Sequence, residues 1–384
     1  MQDQKGKRQH PNNAVYRPLD NERQMYIDAS MSDSPFVTMQ DIAREAGVSQ
    51  PTVSRALKNH PSIAEETKQR IQQAVKKLGY RPNPQVSSLM ANLKTKRQNA
   101  NVDKIAFITS HPTENGWRSH QTFTDFFEGA KAHAFSRGYA LEAFWLKEPG
   151  MTPARFSRML YTRNIHGVLI APLPRTMGHL SLDWDKFAAS TIGHTLRRPD
   201  ISRAVHNHYR SMVLALRNLR RLGYRRIGYL MEDNTDVRTF HTWLAAYLVY
   251  QHTLPPQDRL GVFQFHYNIA KDDIQKWLKS ERPDAIVAQY NEVLPLLLNA
   301  DVSIPDQIGF ASLNTGWKQD DPAGINQHQG RTGEAAVDLI IGQLNRNERG
   351  IPAYPRLLLE PGSWVNGPTV RRVEPGAQRA LLPE

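Results

Sequence analysis

The side chains best suited to chemistry in this sequence lie between Thr38 and Asn59, where short polar and basic residues recur in an amphipathic segment. Gln50, Ser54 and Arg55 offer the hydrogen-bond donors and acceptors that read base edges in the major groove of DNA. Basic side chains also attract phosphates. We therefore predict a DNA-binding surface and assign to it Thr38, Ser49, Gln50, Pro51, Thr52, Ser54, Arg55, Lys58 and Asn59.

A helix-turn-helix is the element that would position these residues. The first helix is predicted over 39–46, with Ile42 facing inward. Gly47 stands where the chain must turn with positive φ, and Ser49 provides an N-cap hydroxyl for the second helix. Pro51 fits the first turn of that helix, where no N–H is needed.

The second helix should bury one face and leave the other free for DNA. Val53 and Leu57, four residues apart, are predicted to pack against Ile42, so that Gln50 and Arg55 face outward. A third amphipathic helix is predicted over 65–78, where Ile71, Val75 and Leu78 repeat at core spacing and Gly79 follows.

The run from Val37 to Asn83, with TMQDIAREAGVSQPTVSRAL and then LGYRPN, resembles the lactose/galactose repressor (LacI/GalR) family. This resemblance adds Tyr80, Asn83, Ser88 and Leu89 to the DNA-binding set. In that family a segment corresponding to 84–101 forms a hinge helix on the operator, and a leucine inserts into the minor groove. Alignment on LGYRPN makes that residue Leu89; the alternative is that Leu89 packs on the domain that follows.

Composition limits the possible classes of protein. The chain has 384 residues, a net charge of +12 and no cysteine, so disulfides and thiolate metal sites are excluded. Residues 37–97 hold eleven Lys and Arg against four acidic residues, a local net charge of +7. No apolar run is long enough for a membrane span or a signal core, so we expect a cytoplasmic, nucleoid-associated protein without a membrane partner.

The two ends of the chain lack apolar periodicity. Residues 1–36 are predicted to be a disordered tail, and 367–384 a C-terminal tail. Met31 lies seven residues before Thr38, where a member of the family would normally begin. Two interpretations remain: the true start is Met31, or the basic N-terminal tail adds non-specific affinity for DNA.

Residues 102–366 alternate short apolar runs with longer amphipathic segments, which is typical of parallel α/β sheets. Together with the resemblance, this predicts a two-lobed periplasmic-binding-protein-like (type I) core behind an all-α helix-turn-helix headpiece. Ligands bind at the carboxyl ends of such strands. Loop residues predicted to face the interlobe cleft are His111, Trp117, Pro172, Asn207, Asp236, Arg238, Asn291, Glu292, Asn314 and Trp317.

This set makes a carbohydrate effector plausible, because aromatic rings stack on sugar faces and polar groups bind hydroxyls. The alternative is that each tryptophan merely packs, and we favour packing for Trp243 on a predicted helix. Aspartates and an arginine common in the family are replaced here, so the effector of a relative cannot be transferred. The matching positions hold Asn207, Val213, Asn291, Glu292, Ala311 and Ser312.

The sequence contains none of the common catalytic motifs. It contains no GxGxxG, phosphate-binding loop, GxSxG or HExxH pattern, and we expect no enzyme activity, cofactor or metal. His206 and His208 are interpreted as ordinary polar residues, and the acidic residues Glu232, Asp233 and Asp236 as a solvated loop.

These patterns together predict a homodimeric transcription regulator, a repressor, that binds a palindromic operator and responds to a small ligand. Two rivals remain open. The core could dimerise without sensing anything, or the chain could be a sugar-processing enzyme or transport-binding protein built on the same two lobes.

Leu89→Ala should reduce operator bending and leave dimerisation unchanged, because the smaller side chain cannot wedge apart a base step. Circular-permutation gel mobility measures the bend, and sedimentation measures the dimer. A normal bend would place the wedge on another residue.

Overall fold

The computed structural model describes residues 37–57, 63–80, 103–174, 178–266 and 269–374. They belong to two compact units divided between Leu93 and Lys94, a small helical headpiece and a large α/β core. Predictions that lie outside the described residues concern the tail 1–36, Lys58, Asn59, Asn83, and the hinge segment 84–101 with Ser88 and Leu89.

The headpiece contains three helices: α1 (Met39–Glu45), α2 (Gln50–Leu57) and α3 (Glu65–Leu78). Ile42, Val53 and Ile71, one from each helix, are at most 1% exposed and form its centre. Gly47, with φ of 63°, turns the chain between α1 and α2, and Gly79 ends α3 in the left-handed conformation. The predicted bounds of α3 and the turn at Gly47 are confirmed.

Leu57 departs from the prediction. It is 39% exposed rather than buried against Ile42, although Val53 on the same helix is fully buried. The physical reason is position, since Leu57 is the last residue of α2, where the helix has passed beyond the small core under Val53.

The first lobe of the core is a six-stranded parallel sheet in the order β13-β7-β5-β3-β1-β2. Helix α4 and the long C-terminal helix α11 cover one face, and α5 packs against the other. The elements are β1 (Asp103–Thr109), α4 (Gln121–Ser136), β2 (Tyr139–Trp145), α5 (Pro153–Thr162), β3 (Gly167–Ile170), β5 (Ala188–Ile192), β7 (Arg203–His206), α11 (Gln329–Arg346) and β13 (Leu357–Glu360), with a separate ribbon of β4 (Gly178–His179) and β6 (Leu196–Arg198).

The second lobe has the strand order β14-β12-β11-β10-β8-β9, parallel except for β14. The chain passes between the sheets after β7, after β12 and after β13. The elements are α6 (His208–Arg221), β8 (Ile227–Glu232), α7 (Asp233–Arg238), α8 (Thr242–His252), β9 (Val262–Phe265), α9 (Lys271–Glu281), β10 (Ala285–Ala288), α10 (Val293–Asn299), β11 (Gly309–Ser312), β12 (Gly324–Asn326) and β14 (Ser363–Val365). The predicted two-lobed α/β core is confirmed.

The chain stays attached to the second lobe beyond residue 366, where we expected the core to end. Thr369 is buried, and its carbonyl accepts the Phe310 N–H at 2.8 Å. The Val373 N–H donates to the Leu222 carbonyl at 2.7 Å. Backbone hydrogen bonding therefore extends the folded core to Val373, and of the predicted C-terminal tail the residues after 374 lie outside the described part.

Helices α4 and α11 approach at backbone distance, which requires glycine. A Cβ on Gly333 would lie 2.1 Å from the Phe126 carbonyl oxygen, whereas the nearest atom to a Cβ on Gly330 would be the Gly129 Cα, at 3.7 Å. Contacts below about 3 Å force backbone to move, because no flexible side chain can yield. A Cβ on Gly129 of α4 would likewise lie 2.3 Å from the Gly330 carbonyl oxygen, so Gly333 and Gly129 set the separation of the two helices, whereas the side-chain position of Gly330 itself has room for a methyl group.

Gly333→Ala should lower the free energy of core unfolding by about 1 to 3 kcal/mol, because the added methyl overpacks this contact. Gly330→Ala is the control and should change it by less than about 1 kcal/mol. Urea unfolding followed by tryptophan fluorescence reports the core alone, since all 7 tryptophans lie in it. Equal effects of both substitutions would contradict the close-contact explanation.

Candidate DNA interface and interlobe cleft

A capping box fixes the start of α1. The Thr38 hydroxyl donates to Asp41 Oδ2 at 2.7 Å, the Thr38 N–H donates to the same oxygen at 2.9 Å, and the Asp41 N–H donates to Thr38 Oγ1 at 3.3 Å. The side-chain hydrogen bond from Thr38 holds the pKa of Asp41 below its ordinary value. Thr38, predicted to contact DNA, thus has a structural role in the cap, and its DNA contact stays a prediction.

The outer face of α2 presents the residues predicted for DNA. Gln50, Pro51 and Arg55 are exposed, while Ser54 is half-buried. Ser49 Oγ and Thr52 Oγ1 lie 2.8 Å apart, and the Thr52 N–H reaches Ser49 Oγ at 3.4 Å, so these two hydroxyls stabilise the helix start. The exposed face therefore combines amide and guanidinium donors at its centre with small polar groups at its leading end.

Tyr80 is tied to the headpiece rather than fully free. It is half-buried against the headpiece core, and its N–H donates to the Val75 carbonyl at 3.2 Å. Across the headpiece, Lys77 Nζ lies 2.6 Å from Glu45 Oε1 and joins α3 to α1. The first contact fixes Tyr80 beside the headpiece core, and the second fixes α3 beside α1.

In the core, the carboxyl ends of the central strands of both lobes line the interlobe cleft. His111 and Pro172 follow β1 and β3, and both are buried. Asn291 and Glu292 follow β10; the Asn291 Oδ1 atom is buried without a hydrogen-bond partner among the described residues, whereas Glu292 is exposed. Asn207 caps α6, since its Oδ1 accepts the Arg210 N–H at 3.0 Å.

Trp117 does not line the cleft, contrary to the prediction. It is 2% exposed and packs inside the first lobe, with ring-centroid distances of 5.5 Å to Phe107 and 5.0 Å to Phe127. The Arg118 guanidinium covers it from outside, 4.2 Å from the ring centroid. A short 3-10 turn after β1 directs the indole into this aromatic pocket, where burial is more favourable than exposure at the cleft.

Trp317 and Asn314 bridge the lobes at one side of the cleft. The Trp317 indole N–H donates to Asp125 Oδ2 on α4 at 2.8 Å. The Asn314 amide donates to Thr122 Oγ1 at 3.3 Å, and its Oδ1 accepts from Gln329 Nε2 at 2.6 Å. The polar groups of both residues contact the opposite lobe of the same chain, and their contact with an effector stays a prediction.

Arg238 and Phe240 bridge the lobes at another point. Arg238 Nη1 donates to the carbonyls of Leu173 and Pro174 at 2.9 Å and 3.2 Å. Phe240 stacks on His194 with 5.4 Å between centroids, and the Arg197 guanidinium lies 4.4 Å from the same ring. Phe240, which lies between α7 and α8 with φ of 60°, was not predicted at this place, because an aromatic residue beside a helix more often packs in a core.

Glu232, Asp233 and Asp236 form what we call the α7 carboxylate cluster, and the interpretation of these residues as a solvated loop is wrong. Asp236 is 3% exposed and the other two are half-buried. One oxygen of each carboxylate is buried without a hydrogen-bond partner among the described residues. Their position directly after β8, a central strand, was the sequence signal that could have placed them at the cleft.

Three histidines lie where the lobes meet. Burial lowers the pKa of His194 to about 4 and that of His206 to about 3, and it lowers the pKa of His208 well below its ordinary value. His206 Nε2 lies 2.7 Å from Ser211 Oγ, and the His208 ring packs edge-on against Trp243, 4.6 Å between centroids. Trp243 is 2% exposed, so it packs as predicted.

Neither a membrane span nor a metal cluster occurs in the described parts of the chain. No described helix is long and apolar enough to cross a bilayer. No three His, Cys, Asp or Glu side chains among the described residues are grouped so that they could hold a metal ion.

Two family models match this chain. Residues 38–83 match "Bacterial regulatory proteins, lacI family", and residues 216–370 match "Periplasmic binding protein-like domain". The chain is 26% identical over 133 residues to the HTH-type transcriptional regulator MalR of Streptococcus pneumoniae, which is 35% of this chain and 38% of MalR. It is 21% identical over 352 residues to the HTH-type transcriptional repressor PurR of Haemophilus influenzae, covering 85% of this chain and 96% of PurR.

A solved structure shares the fold. The transcriptional regulator CelR in complex with cellobiose superposes with a TM-score of 0.50 at 16% identity, covering 87% of this chain and 99% of CelR. The match with MalR spans well under half of that relative, whereas the PurR and CelR matches include both the headpiece and the core.

His194→Gln should make the stability of the core less sensitive to acid. The folded pKa of about 4 lies below the ordinary 6.5, so between these values the unfolded chain binds a proton that the folded chain does not, and stability is lost as pH falls. Urea unfolding at about pH 7 and about pH 5 measures this loss, which the substitution should reduce.

His252→Gln is the matched control, because His252 is exposed at the end of α8. It should retain the pH dependence of the original protein. An unchanged pH dependence in the His194 variant would show that this imidazole is not held neutral by burial.

Proposed function

Because this chain belongs to the LacI family of bacterial transcription regulators, we propose that it represses transcription by binding a palindromic operator as a homodimer, with a small polar ligand in the interlobe cleft as its effector. The observation that carries the proposal is the exposed face of α2, where Gln50 and Arg55 project from a helix whose other side is buried through Val53. Its place of action would be the cytoplasm, at the nucleoid, and its role would not be catalytic.

Recognition of the operator rests on two kinds of contact. Gln50, Ser54 and Arg55 would read base edges, while basic side chains of the headpiece and hinge segment neutralise phosphates. The DNA phosphates would be contacted by Ser49, Thr52 and the capped start of α1, because short hydroxyl side chains and helix N-termini bind phosphate oxygens. The charge of +7 over residues 37–97 supports this assignment.

Dimerisation gives the headpieces their affinity. One headpiece offers one recognition helix and buries a small surface, so each binds weakly alone. Tethering two of them to a dimeric core makes the second contact intramolecular and raises its effective concentration. A two-fold symmetric protein then requires a two-fold symmetric site, with half-sites separated by a multiple of a helical turn.

The proposal of a ligand in the cleft is supported by buried polar atoms that have no hydrogen-bond partner among the described residues. In the first lobe such an atom belongs to His111; in the second lobe they belong to Asn291 and the α7 carboxylate cluster. Such atoms cost free energy until a ligand or water satisfies them. A carbohydrate would supply hydroxyl donors, and CelR, which shares the fold, was solved with cellobiose. A ligand that binds one arrangement of the lobes more tightly would alter operator affinity, with a coupling of about 1 to 3 kcal/mol.

A second candidate is a regulator whose core dimerises but senses no ligand. The interlobe bridges favour it, since Arg238, Asn314 and Trp317 direct polar groups to the opposite lobe. Thermal-shift screening of the purified protein against metabolites distinguishes the two. Stabilisation by a sugar that also releases the operator supports sensing, and no stabilisation by any metabolite supports the second candidate.

Selection of duplexes from a randomised DNA pool, at fixed salt, tests the operator proposal with the full chain. We expect enrichment of a palindrome with a constant central step. Sequence-independent binding that weakens steeply with salt would contradict specific recognition by α2.

Arg55→Ala should weaken operator binding by about 1 to 3 kcal/mol and relax the preference at one base pair of each half-site, if Arg55 bonds a guanine. Fluorescence anisotropy against operator duplexes mutated at each position measures both effects. Lys76→Ala, an exposed residue of equal charge on α3, is the control and should leave the base preference unchanged. Identical base preferences in the Arg55 variant and the original protein would refute base reading by Arg55.

A further inference from the structure

We propose that the outer edge of β13 is an interface with a second copy of this chain, in which the two β13 strands pair antiparallel about a two-fold axis at Leu358. The first-lobe sheets of the two copies then form one continuous sheet. Three observations carry the proposal: the open edge of β13, its exposed leucines, and a charge pattern that is complementary to its own reverse.

β13 is the outermost strand of the first-lobe sheet, and its inner edge pairs with β7. The carbonyls of Arg356 and Glu360 accept N–H groups of β7 and of the residue after it, at 2.8 Å and 2.7 Å, so these positions direct their backbone inward. Backbone direction alternates along a strand, which turns the N–H and C=O groups of Leu357 and Leu359 outward. In the described part of the chain, no strand pairs with this outer edge.

The exposed side of β13 is apolar. Leu357 and Leu359, two residues apart, lie on one face of the strand and are 55% and 47% exposed. Tyr354 and Ile351, in the segment that leads into β13, are exposed as well. Edge strands of soluble proteins usually prevent association by charges along the strand, by bulges or by a covering segment. Leucines at an open edge therefore indicate a surface that a partner covers.

The charges of β13 identify the partner as another copy of the same strand. Arg356 precedes the three leucines and Glu360 follows them. When two such strands run antiparallel about Leu358, Arg356 of each copy lies opposite Glu360 of the other. Leu357 then lies opposite Leu359. Opposite charges directly across a strand pair attract, whereas like charges repel. The strand is therefore complementary to itself, as a two-fold interface requires.

Prolines set the length of the pairing. Pro355 and Pro361 stand on either side of the strand, at positions that continue the outward alternation, and neither has an N–H. In the register centred on Leu358 they lie opposite each other, so the pairing ends on both sides without leaving a donor unbonded. Between them, Leu357 and Leu359 of each copy supply the hydrogen bonds across the axis. A shift of the register by two residues loses this match and both charge pairs.

The two charged residues of β13 are placed to reach a second copy. Arg356 is exposed and Glu360 is half-buried. Within the chain, the pKa of Glu348 is lowered chiefly by its hydrogen bond with Arg346, and Arg356 adds a smaller share. That carboxylate is already paired with Arg346 through two hydrogen bonds, of 2.7 Å and 2.8 Å. The Arg356 guanidinium therefore keeps donors for a carboxylate across the axis.

Cysteine pairing tests the register on the full chain, which has no cysteine of its own and so gives no background. Arg356→Cys and Glu360→Cys proteins are mixed and treated with oxidised glutathione. The proposed register brings these two positions to a Cα separation of about 4.5 Å, within the range of a disulfide, and keeps the second charge pair intact. We expect a disulfide-linked dimer in the mixture. Each variant alone is the control, because position 356 of one copy lies about 13 Å from position 356 of the other.

Two results would overturn the proposal. Equal cross-linking in the mixture and in the separate variants would show random collision or a different register. Absence of the mixed disulfide would exclude pairing of β13 with a second copy, and would assign its open edge to a different partner.

Charge reversal measures how much the charge pairs contribute. Arg356→Glu and Glu360→Arg should each raise the dissociation constant of the assembly by about tenfold, because each places like charges at two points across the axis. The double variant should restore the original constant. Arg217→Glu, on the exposed side of α6, is the matched control and should have no effect. Sedimentation equilibrium measures these constants, and equal constants in the single and double variants would contradict the charge pairs.

This inference goes beyond the proposed function, which names no surface for the homodimer. If β13 joins the operator-binding dimer itself, the single charge reversals yield monomers and weaken operator binding. If it joins two such dimers, they yield dimers with unchanged operator binding. Both results support pairing through β13. If the protein selects no operator, the proposed function fails, and the mixed disulfide still decides whether β13 pairs.

Discussion

The structure depends on the desolvation of polar groups where two parallel sheets direct their carboxyl ends toward one cleft. A polar atom placed there can form a hydrogen bond to the other lobe or to a ligand. Without either partner, its burial costs free energy. Trp317 and Arg238 find partners on the opposite lobe, at Asp125 and at the carbonyls of Leu173 and Pro174. The α7 carboxylate cluster and His111 do not. The same constraint thus explains both the bridges that join the lobes and the polar atoms that have no hydrogen-bond partner among the described residues.

The headpiece and the core meet this constraint in different ways. In the headpiece the polar groups at the helix starts are satisfied locally, by the capping box of Thr38 and Asp41 and by the hydroxyl pair of Ser49 and Thr52. The outer face of α2 can therefore remain polar and exposed at little cost. Its chemistry suits a partner surface that is itself highly charged, whereas the cleft would enclose the proposed effector.

Local signals were enough to predict much of this fold. The bounds of α3 agree with the prediction because its periodicity and end signals lie within the segment itself. Helix α7 has 6 residues, too few for periodicity, and was missed. Trp117 and Trp317 both follow strands, but only Trp117 meets an aromatic pocket. Phe107 on β1 and Phe127 on α4 form this pocket, and their rings meet only because α4 packs on the sheet. Bridges such as that from Trp317 to Asp125 join residues almost two hundred positions apart, which no local pattern encodes.

The glycine contact between α4 and α11 also constrains how the protein is made. On a ribosome α4 emerges long before α11, and at ordinary elongation rates the interval is about 10 to 40 s. Until then the face of the first sheet that α11 will cover, including Leu169 and Ile192, lacks its partner helix. The second lobe is similarly incomplete until β14 and the segment ending at Val373 have been translated. Both lobes are therefore completed only after α11, β14 and this segment have been translated, and until then the nascent chain presents apolar sheet surface that chaperones bind.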